Sequence, residues 1–191
     1  MFLNPAERLD PDAERAHYLT HQNDPTDARY RAFLDRLAIP LIEKVPPGAK
    51  GLDIGSGPGP TLSVMLEERG FDMTVYDPYF APDAAALQRT YDFITATETV
   101  EHFCCPGREF ARLYDLLRPN AILGIMTEMV TGERRFDEWH YPRDPTHVSF
   151  YRKSTMEWIA SHFGFDAEFP RRNVVLFRRN ARAGLKPRAT R

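Results

Sequence analysis

The residues able to do chemistry fall into three short runs and one loop. The first run is Leu52-Asp53-Ile54-Gly55-Ser56-Gly57-Pro58-Gly59-Pro60. Gly55, Gly57 and Gly59 permit positive φ and close backbone approach to a ligand. A helix starting behind them would offer that ligand free N–H groups. Their G-x-G-x-G spacing is one residue tighter than the G-x-G-x-x-G dinucleotide fingerprint. Asp53 stands two residues ahead, where it would repel a pyrophosphate and suit an ammonium group. The second run ends at Asp77-Pro78, where one carboxylate has lone pairs enough for two hydroxyl protons, or simply caps a turn. The third is Thr97-Glu98-Thr99-Val100-Glu101-His102-Phe103. In a helical turn Glu98, Glu101 and His102 would share one face. Two carboxylates and an imidazole can hold a divalent cation or move a proton. The loop 129–149 adds Trp139, His140, Tyr141 and His147. His147, whose ordinary pKa lies near neutrality, reads as a metal ligand, a general base or a turn partner of Asp144.

These residues need a scaffold that brings them to one edge. Residues 1–23, rich in Pro, Asp and His, read as irregular. Asp24-Pro25 reads as the start of a helix carrying Tyr30, Phe33, Leu34, Leu37, Leu41 and Ile42, with Pro40 kinking or splitting it. Short strands are expected at Lys50–Ile54, Phe71–Tyr76, Tyr91–Ala96, Ala121–Thr127, Gly164–Phe169 and Val174–Arg178. Helices are expected at Thr61–Arg69 and Pro106–Leu117, and from a Ser154-to-Glu157 capping box to His162. A short helix is expected within 83–89, and a turn at Pro119-Asn120. Strands alternating with helices give an α/β chain with a largely parallel sheet. The long loop follows the fourth strand and belongs at the carboxyl edge, where open α/β sheets bind ligands.

With these residues in place, the segment from Gly51 to Arg178 resembles the class I S-adenosylmethionine-dependent methyltransferases, whose first motif reads D/E-x-G-x-G-x-G. The resemblance implies a Rossmann-like, doubly wound sheet with helices on both faces and the last strand antiparallel. It implies that the loop of Asp53, Gly55, Ser56, Gly57 and Gly59 wraps the aminoacyl end of S-adenosylmethionine. Asp77 would take the ribose hydroxyls, and Thr97 and Glu98 would lie beside the methionine part. Only 13 residues separate Asp77 from Tyr91, too few for the family's usual helix, edge strand and helix. Six strands are therefore expected, with adenine held by Pro78, Tyr79 and Phe80. The run Glu98-x-x-Glu101-His102 resembles the E-x-x-E-H of quinone-biosynthesis O-methyltransferases and small-RNA 2′-O-methyltransferases, some of which bind a divalent metal. Glu98, Glu101, His102 and His147 are then the candidates for proton transfer and for metal ligation. An N-terminal helix often forms a lid in this family. Tyr18, His21 and Asn23 would line the pocket under it or anchor the arm. The implied organisation is an arm and lid helix over 1–49, a methyltransferase domain over 50–180 and a basic tail over 181–191.

Composition narrows the classes further. The 191 residues are 42% hydrophobic and 27% charged, ordinary for a globular chain and unlike a fibre or a coiled coil. No apolar run reaches the length of a membrane span, and the N-terminus lacks the basic start and apolar core of a signal peptide. A cytoplasmic protein is the expectation. Adjacent Cys104 and Cys105 match no zinc spacing and are expected to be buried or half-buried. The last 23 residues hold eight basic side chains and no acid, a candidate phosphate or nucleic-acid contact or a frayed end. The Asp/Asn-Pro-Pro-Tyr/Phe motif of amino methylation on bases is absent, which favours oxygen of a small-molecule acceptor. The alternatives are an RNA-directed 2′-O-methyltransferase, weakened by the lack of an appended RNA-binding domain, and a non-catalytic nucleotide- or cofactor-binding module.

Overall fold

A computed structural model describes residues 2–20, 23–132 and 139–181. Its centre is β1 (Lys50–Ile54), buried from Gly51 onward because both faces of a central parallel strand are covered. β2 (Asp72–Tyr76) and β3 (Tyr91–Thr97) flank it in parallel. β4 (Leu117–Met126) continues the parallel set beyond β3. β6 (Val174–Arg179) runs antiparallel to β4, and β5 (Phe165–Arg171) antiparallel to β6. The order is β2-β1-β3-β4-β6-β5, so six strands form and β2 is an edge. Between β2 and β3 the chain makes only an Asp77–Ala81 bridge and a 3-10 turn over Ala84–Gln88, as the 13-residue span requires.

Among the described residues four helices cover the sheet. α2 (Ala28–Ile42) and α3 (Thr61–Glu67) pack on one face, where Leu34, Leu37, Leu41, Leu62 and Met65 meet Phe93 and Leu176. α4 (Pro106–Leu116) and α5 (Lys153–Phe163) close the other, with Phe110, Leu113, Met156 and Phe163 against Leu52, Ile94 and Phe177. Each fully buried leucine contributes about 2 kcal/mol. Gly124 lets Leu37 approach the sheet, since a Cβ there would lie 3.0 Å from the Leu37 Cδ1.

Several local expectations are corrected. Residues 1–23 are not irregular throughout: α1 (Pro11–Tyr18) forms, its first turn capped by Asp10, whose carboxylate accepts from the N–H of Asp12 and Ala13. At Asp24-Pro25 the same signature makes a turn instead, with Asp24 accepting from the Thr26 N–H at 2.8 Å. Asp27 becomes the cap of α2, accepting from the Arg29 N–H. Pro40 does not split α2; it lies in the last turn, where its missing N–H costs one hydrogen bond. Pro119-Asn120 sits within β4 as a register shift, Asn120 adopting φ +65°. At α5 the cap is Arg152, whose N–H donates to Thr155 Oγ1, not Ser154. Cys104 and Cys105 are exposed, because they lie in the link between the 3-10 turn Val100–His102 and α4. No helix among the described residues is long and apolar enough to cross a membrane.

Candidate active site

Two half-sites meet at the carboxyl ends of β1, β2, β3 and β4. In the first half the chain leaves β1 through Gly55 and Gly57, at φ +70° and +65°, which only glycine adopts without strain. A Cβ on Gly55 would lie 2.2 Å from Thr99 Cγ2, and one on Gly59 2.3 Å from the Asn23 carbonyl oxygen. Bare backbone is therefore required at both points. The Asp77 carboxylate, buried at the end of β2, accepts from Gly57 N–H at 2.9 Å, Tyr79 N–H at 2.8 Å and Phe80 N–H at 3.0 Å. Asp77 thereby clamps the glycine loop to the Pro78–Phe80 turn. One of its four lone pairs remains, so a ribose bound here would share Asp77 with the loop or displace the Gly57 bond.

Asp53 does not face open space. It is buried, accepting from the hydroxyls of Thr95 at 2.7 Å and Ser63 at 3.2 Å. Burial pushes its pKa up to about 6 against those hydrogen bonds. Asp53 supports the loop from behind, tying β1 to β3 and α3. At the end of β3, the Thr97 hydroxyl and the Glu98 Oε1 are buried without a hydrogen-bond partner. Glu98 also holds φ +47°, a strained conformation for a non-glycine residue. Orphaned buried acceptors are costly and are what a ligand bearing O–H or N–H donors would satisfy. Open glycine backbone beside orphaned acceptors fits an aminoacyl nucleoside such as S-adenosylmethionine. Ser56 is half-buried within the loop, its hydroxyl 3.4 Å from the Gly57 carbonyl oxygen.

The second half gathers the acid–histidine residues. The expected helical turn is a 3-10 turn, Val100–His102. It buries Glu101 completely, while Glu98 stands before the turn. Glu101 accepts from Thr127 Oγ1 at 2.9 Å and from the Tyr141 hydroxyl in a short contact. Tyr141 also reaches Glu98 at 3.3 Å. Burial raises both carboxyl pKa values, and at Glu98, pushed up to about 9, the neighbouring Glu101 charge adds to the rise, so Glu98 keeps a proton at neutral pH. His102 Nδ1 faces the Thr146 carbonyl at 3.0 Å and His147 Nδ1 the Tyr141 carbonyl at 2.8 Å. Carbonyls only accept, so each Nδ1 donates there and in the neutral ring the lone pair falls on Nε2; His147 Nε2 lies 3.9 Å from Asp144 Oδ2, and the His102 ring also meets the Glu98 carbonyl. Burial lowers both histidine pKa values. The rings lie 4.9 Å apart.

Ligand atoms of Glu101, His102 and His147 lie within 4.8 Å of one another. The expected foursome is thus a threesome: the Glu98 carboxyl stands outside it and reaches it through the Tyr141 hydroxyl. One carboxylate and two carbonyl-anchored imidazoles suit a divalent transition metal. Tyr141 and Thr127 are the residues sequence reading did not assign. Tyr141 stood in the aromatic loop, and Thr127 is the polar residue ending an apolar strand, but neither type announces a carboxylate partner. His140 is exposed and meets the network only at the edge of the Tyr141 ring, 6.4 Å away between centroids. Trp139 is buried, stacked on Tyr141 at 5.0 Å.

α1 and its sequel lie over both halves. Tyr18 packs edge-on to His102 at 5.3 Å, and the Asn23 carbonyl accepts from Thr61 Oγ1 at 3.1 Å. His21, residues 133–138 and the basic tail from Arg182 lie outside the described residues.

A family model described as a methyltransferase domain matches residues 19–168. None of the curated proteins compared with the chain matches it in sequence. Among solved structures, a Burkholderia thailandensis 1,6-didemethyltoxoflavin-N1-methyltransferase, bound to 1,6-didemethyltoxoflavin and S-adenosylhomocysteine, is similar at 18% identity and TM-score 0.63. That match covers 94% of this chain and 92% of the other. An O-methyltransferase family protein from the same species is 15% identical over 88% of this chain and 63% of the other, with TM-score 0.55. Haemonchus contortus phosphoethanolamine N-methyltransferase 2, in complex with S-adenosyl-L-methionine, is 18% identical over 81% and 41%, with TM-score 0.58. By its family match, and with a fold these structures share, the chain belongs to the methyltransferase-domain family, whose class I members draw the methyl group from S-adenosylmethionine.

Proposed function

We infer that this chain transfers a methyl group from S-adenosylmethionine to an oxygen of a small-molecule acceptor. The observation that carries the reading is the junction of the two halves at Thr97-Glu98. Orphaned acceptors beside the glycine loop continue there, through Tyr141, into a cluster with two proton-accepting imidazoles. The bound cofactor supplies an electrophilic methyl on a sulfonium. The protein's work is to orient that group, exclude water and take a proton. Gly55, Gly57, Gly59 and Asp77 fix the loop, with Ser56 in its wall. Pro78, Tyr79 and Phe80 form the adenine side, and Asp53 braces the loop through Ser63 and Thr95.

The Nε2 of His102 or His147 receives the acceptor's hydroxyl proton. Glu98 and Glu101, pinned by Tyr141 and Thr127, set the polarity around it. A divalent cation, if used, would be held by Glu101, His102 and His147 and would lower the hydroxyl's pKa in place of that base. The toxoflavin-type substrate of the Burkholderia relative, a small heterocycle methylated on nitrogen, supports the small-molecule class and makes nitrogen the competing acceptor atom. The arm and lid over 1–49 and the domain over 50–180 remain the proposed organisation.

The test is turnover of S-adenosylmethionine against a metabolite extract, with and without manganese, and tandem mass spectrometry of the product. A methoxy product lost in His102→Ala and His147→Ala supports the reading. An N-methyl product, or methylation of RNA alone, overturns the oxygen assignment or the small-molecule class. Cofactor binding without turnover overturns the enzyme.

A further inference from the structure

The chain holds two cysteines, Cys104 and Cys105, and neither has a role in the proposed methyl transfer. Both are exposed, against the usual burial of free cysteine. They occupy the link that carries the chain from the 3-10 turn Val100–His102 into α4. The link is tied on both sides. The Phe103 carbonyl accepts from Ser149 Oγ at 2.7 Å, which fastens it to the loop that carries His147. The Cys105 carbonyl accepts from the N–H groups of Arg108 and Glu109 at 3.0 and 3.2 Å. Cys105 is thereby the N-cap of α4, at φ −132° and ψ 70°, outside the helical region. Burial, then Glu14, pushes the Tyr79 phenol up, and the Cys104 sulfur adds to that rise, which places this sulfur near the Asp77–Phe80 turn.

Two adjacent thiols open to solvent are each the other's nearest reaction partner. We propose that Cys104–Cys105 is a redox modification site, at which peroxide closes a disulfide between the two neighbours and the closure shifts His102. One sulfur attacks hydrogen peroxide. An S–O bond forms, the O–O bond breaks, and the leaving hydroxide takes the thiol proton and becomes water. The second sulfur attacks the sulfenic acid so formed. The S–S bond forms, the S–O bond breaks, and a second water leaves with the second thiol proton. Two thiols are oxidised and one peroxide is reduced to two waters.

The bond closes only if the backbone bends. Across the trans peptide between them the Cα atoms stand about 3.8 Å apart, whereas an unstrained disulfide takes roughly 4.4 Å or more. Closure therefore pulls on the Phe103 carbonyl at one end of the link and on the α4 cap at the other. His102 moves with them, since its own N–H donates to the Thr99 carbonyl at 3.0 Å within the adjoining turn. The same strain makes the bond easy to reduce, so the modification is reversible. Its bearing on methyl transfer rests on the functional reading above. Peptide mass and ring resonances are independent of that reading, so the two fail separately.

Trypsin releases residues 90–108 as one peptide, which carries both cysteines and no methionine. After hydrogen peroxide treatment of the full chain, this peptide should lose the mass of two hydrogens while the chain stays single on a non-reducing gel. Reduced glutathione should restore it, becoming its own disulfide. Cys104→Ser and Cys105→Ser, each left with one exposed thiol, should gain oxygen instead and recover incompletely. The His102 ring-proton resonances should move in the oxidised wild type and stay put in the peroxide-treated double variant, Cys104→Ser with Cys105→Ser. Oxygen gain on both sulfurs without loss of hydrogen, or a disulfide between two chains, overturns the site. A bond that glutathione fails to open overturns its reversibility, and closure with unmoved His102 resonances overturns the link to the cleft.

Discussion

The proposed cofactor half and the proposed acceptor half of the cleft are made from different materials. The first is mostly backbone: two glycines at positive φ, a third where a Cβ has no room, and Asp77 collecting three N–H groups. The second is almost entirely side chain, with two carboxyls, two imidazoles, a phenol and a hydroxyl drawn from the residues just past β3 and β4, the 3-10 turn and the long loop. A backbone site leaves its mark as glycines at fixed spacing, since few other residues can adopt the required angles. A side-chain network leaves no such mark, because Tyr141 and Thr127 are each ordinary until their partners are known. The electrostatics differ as well. Asp77 is satisfied by three donors, whereas Glu98 and Glu101 are buried against each other and raised in pKa.

The largest effect expected from this contrast is at Gly55. Gly55→Val places a branched side chain at φ +70° and 2.2 Å from Thr99. Strain and overpacking together should cost at least about 3 kcal/mol and abolish S-adenosylhomocysteine binding. Gly51→Ala gives a matched control, since its Cβ would lie 2.3 Å from the Phe93 ring, away from the cleft. That variant should lower the melting temperature yet keep its affinity. Equal affinity losses in both would break the distinction.

In the acceptor half the matching change is Tyr141→Phe. It strips the phenol donor from Glu101 and Glu98 and leaves buried carboxyl oxygens unpaired, at about 1–3 kcal/mol. Chemical denaturation should show that loss with cofactor affinity preserved. Preserved stability would mean that the phenol is not an integral part of the network.

The pH dependence of stability sharpens the comparison next. Glu98 and Glu101 have raised folded pKa values, so the native state holds more protons than the unfolded one above about pH 4.5, and stability falls as pH rises. Buried His102 and His147 have lowered folded pKa values, so their contribution rises with pH until about 6.5 and is then complete. Asp53, raised to about 6, adds a decline that ends near that pH. Above pH 6.5 Glu98, raised to about 9, still acts. The wild type should lose up to about 1.4 kcal/mol per pH unit there. Glu98→Gln should flatten that slope. A slope unchanged in Glu98→Gln would show that the acid ionises freely.

The smallest effect concerns the partly exposed His17–Asp144 pair, 3.3 Å apart. His17→Ala should change global stability by less than about 1 kcal/mol in a melting experiment. A larger loss would mean that α1 is part of the core rather than a cover on it.

Legibility in the sequence followed the same division. The alternation of strands and helices, the missing edge strand and the glycine loop were readable, because each follows from spacing and chain length. The 13 residues between Asp77 and Tyr91 left no room for another strand, and the sheet has none there. α1 was not readable. Its Asp10-Pro11 start looks the same as Asp24-Pro25, and only one of them opens a helix, because a polar octamer depends on Tyr79, His102 and Asp144 for its place. The Glu98-x-x-Glu101-His102 spacing suggested one helical face. The 3-10 turn and the positive φ at Glu98 instead split the pair, leaving Glu101, His102 and His147 together. Asp53 was read as facing an ammonium group, but Ser63 and Thr95, distant in sequence, hold it inward.

The central claim is that Asp77 and the glycine loop hold the cofactor while the acid–histidine cluster serves the acceptor. Calorimetry of S-adenosylhomocysteine with the wild type, Asp77→Ala and Glu101→Gln tests it most directly. The account predicts binding to the wild type, a loss of about 10- to 100-fold in Asp77→Ala and near-unchanged affinity in Glu101→Gln. Unchanged affinity in Asp77→Ala, or no binding to the wild type, would contradict it.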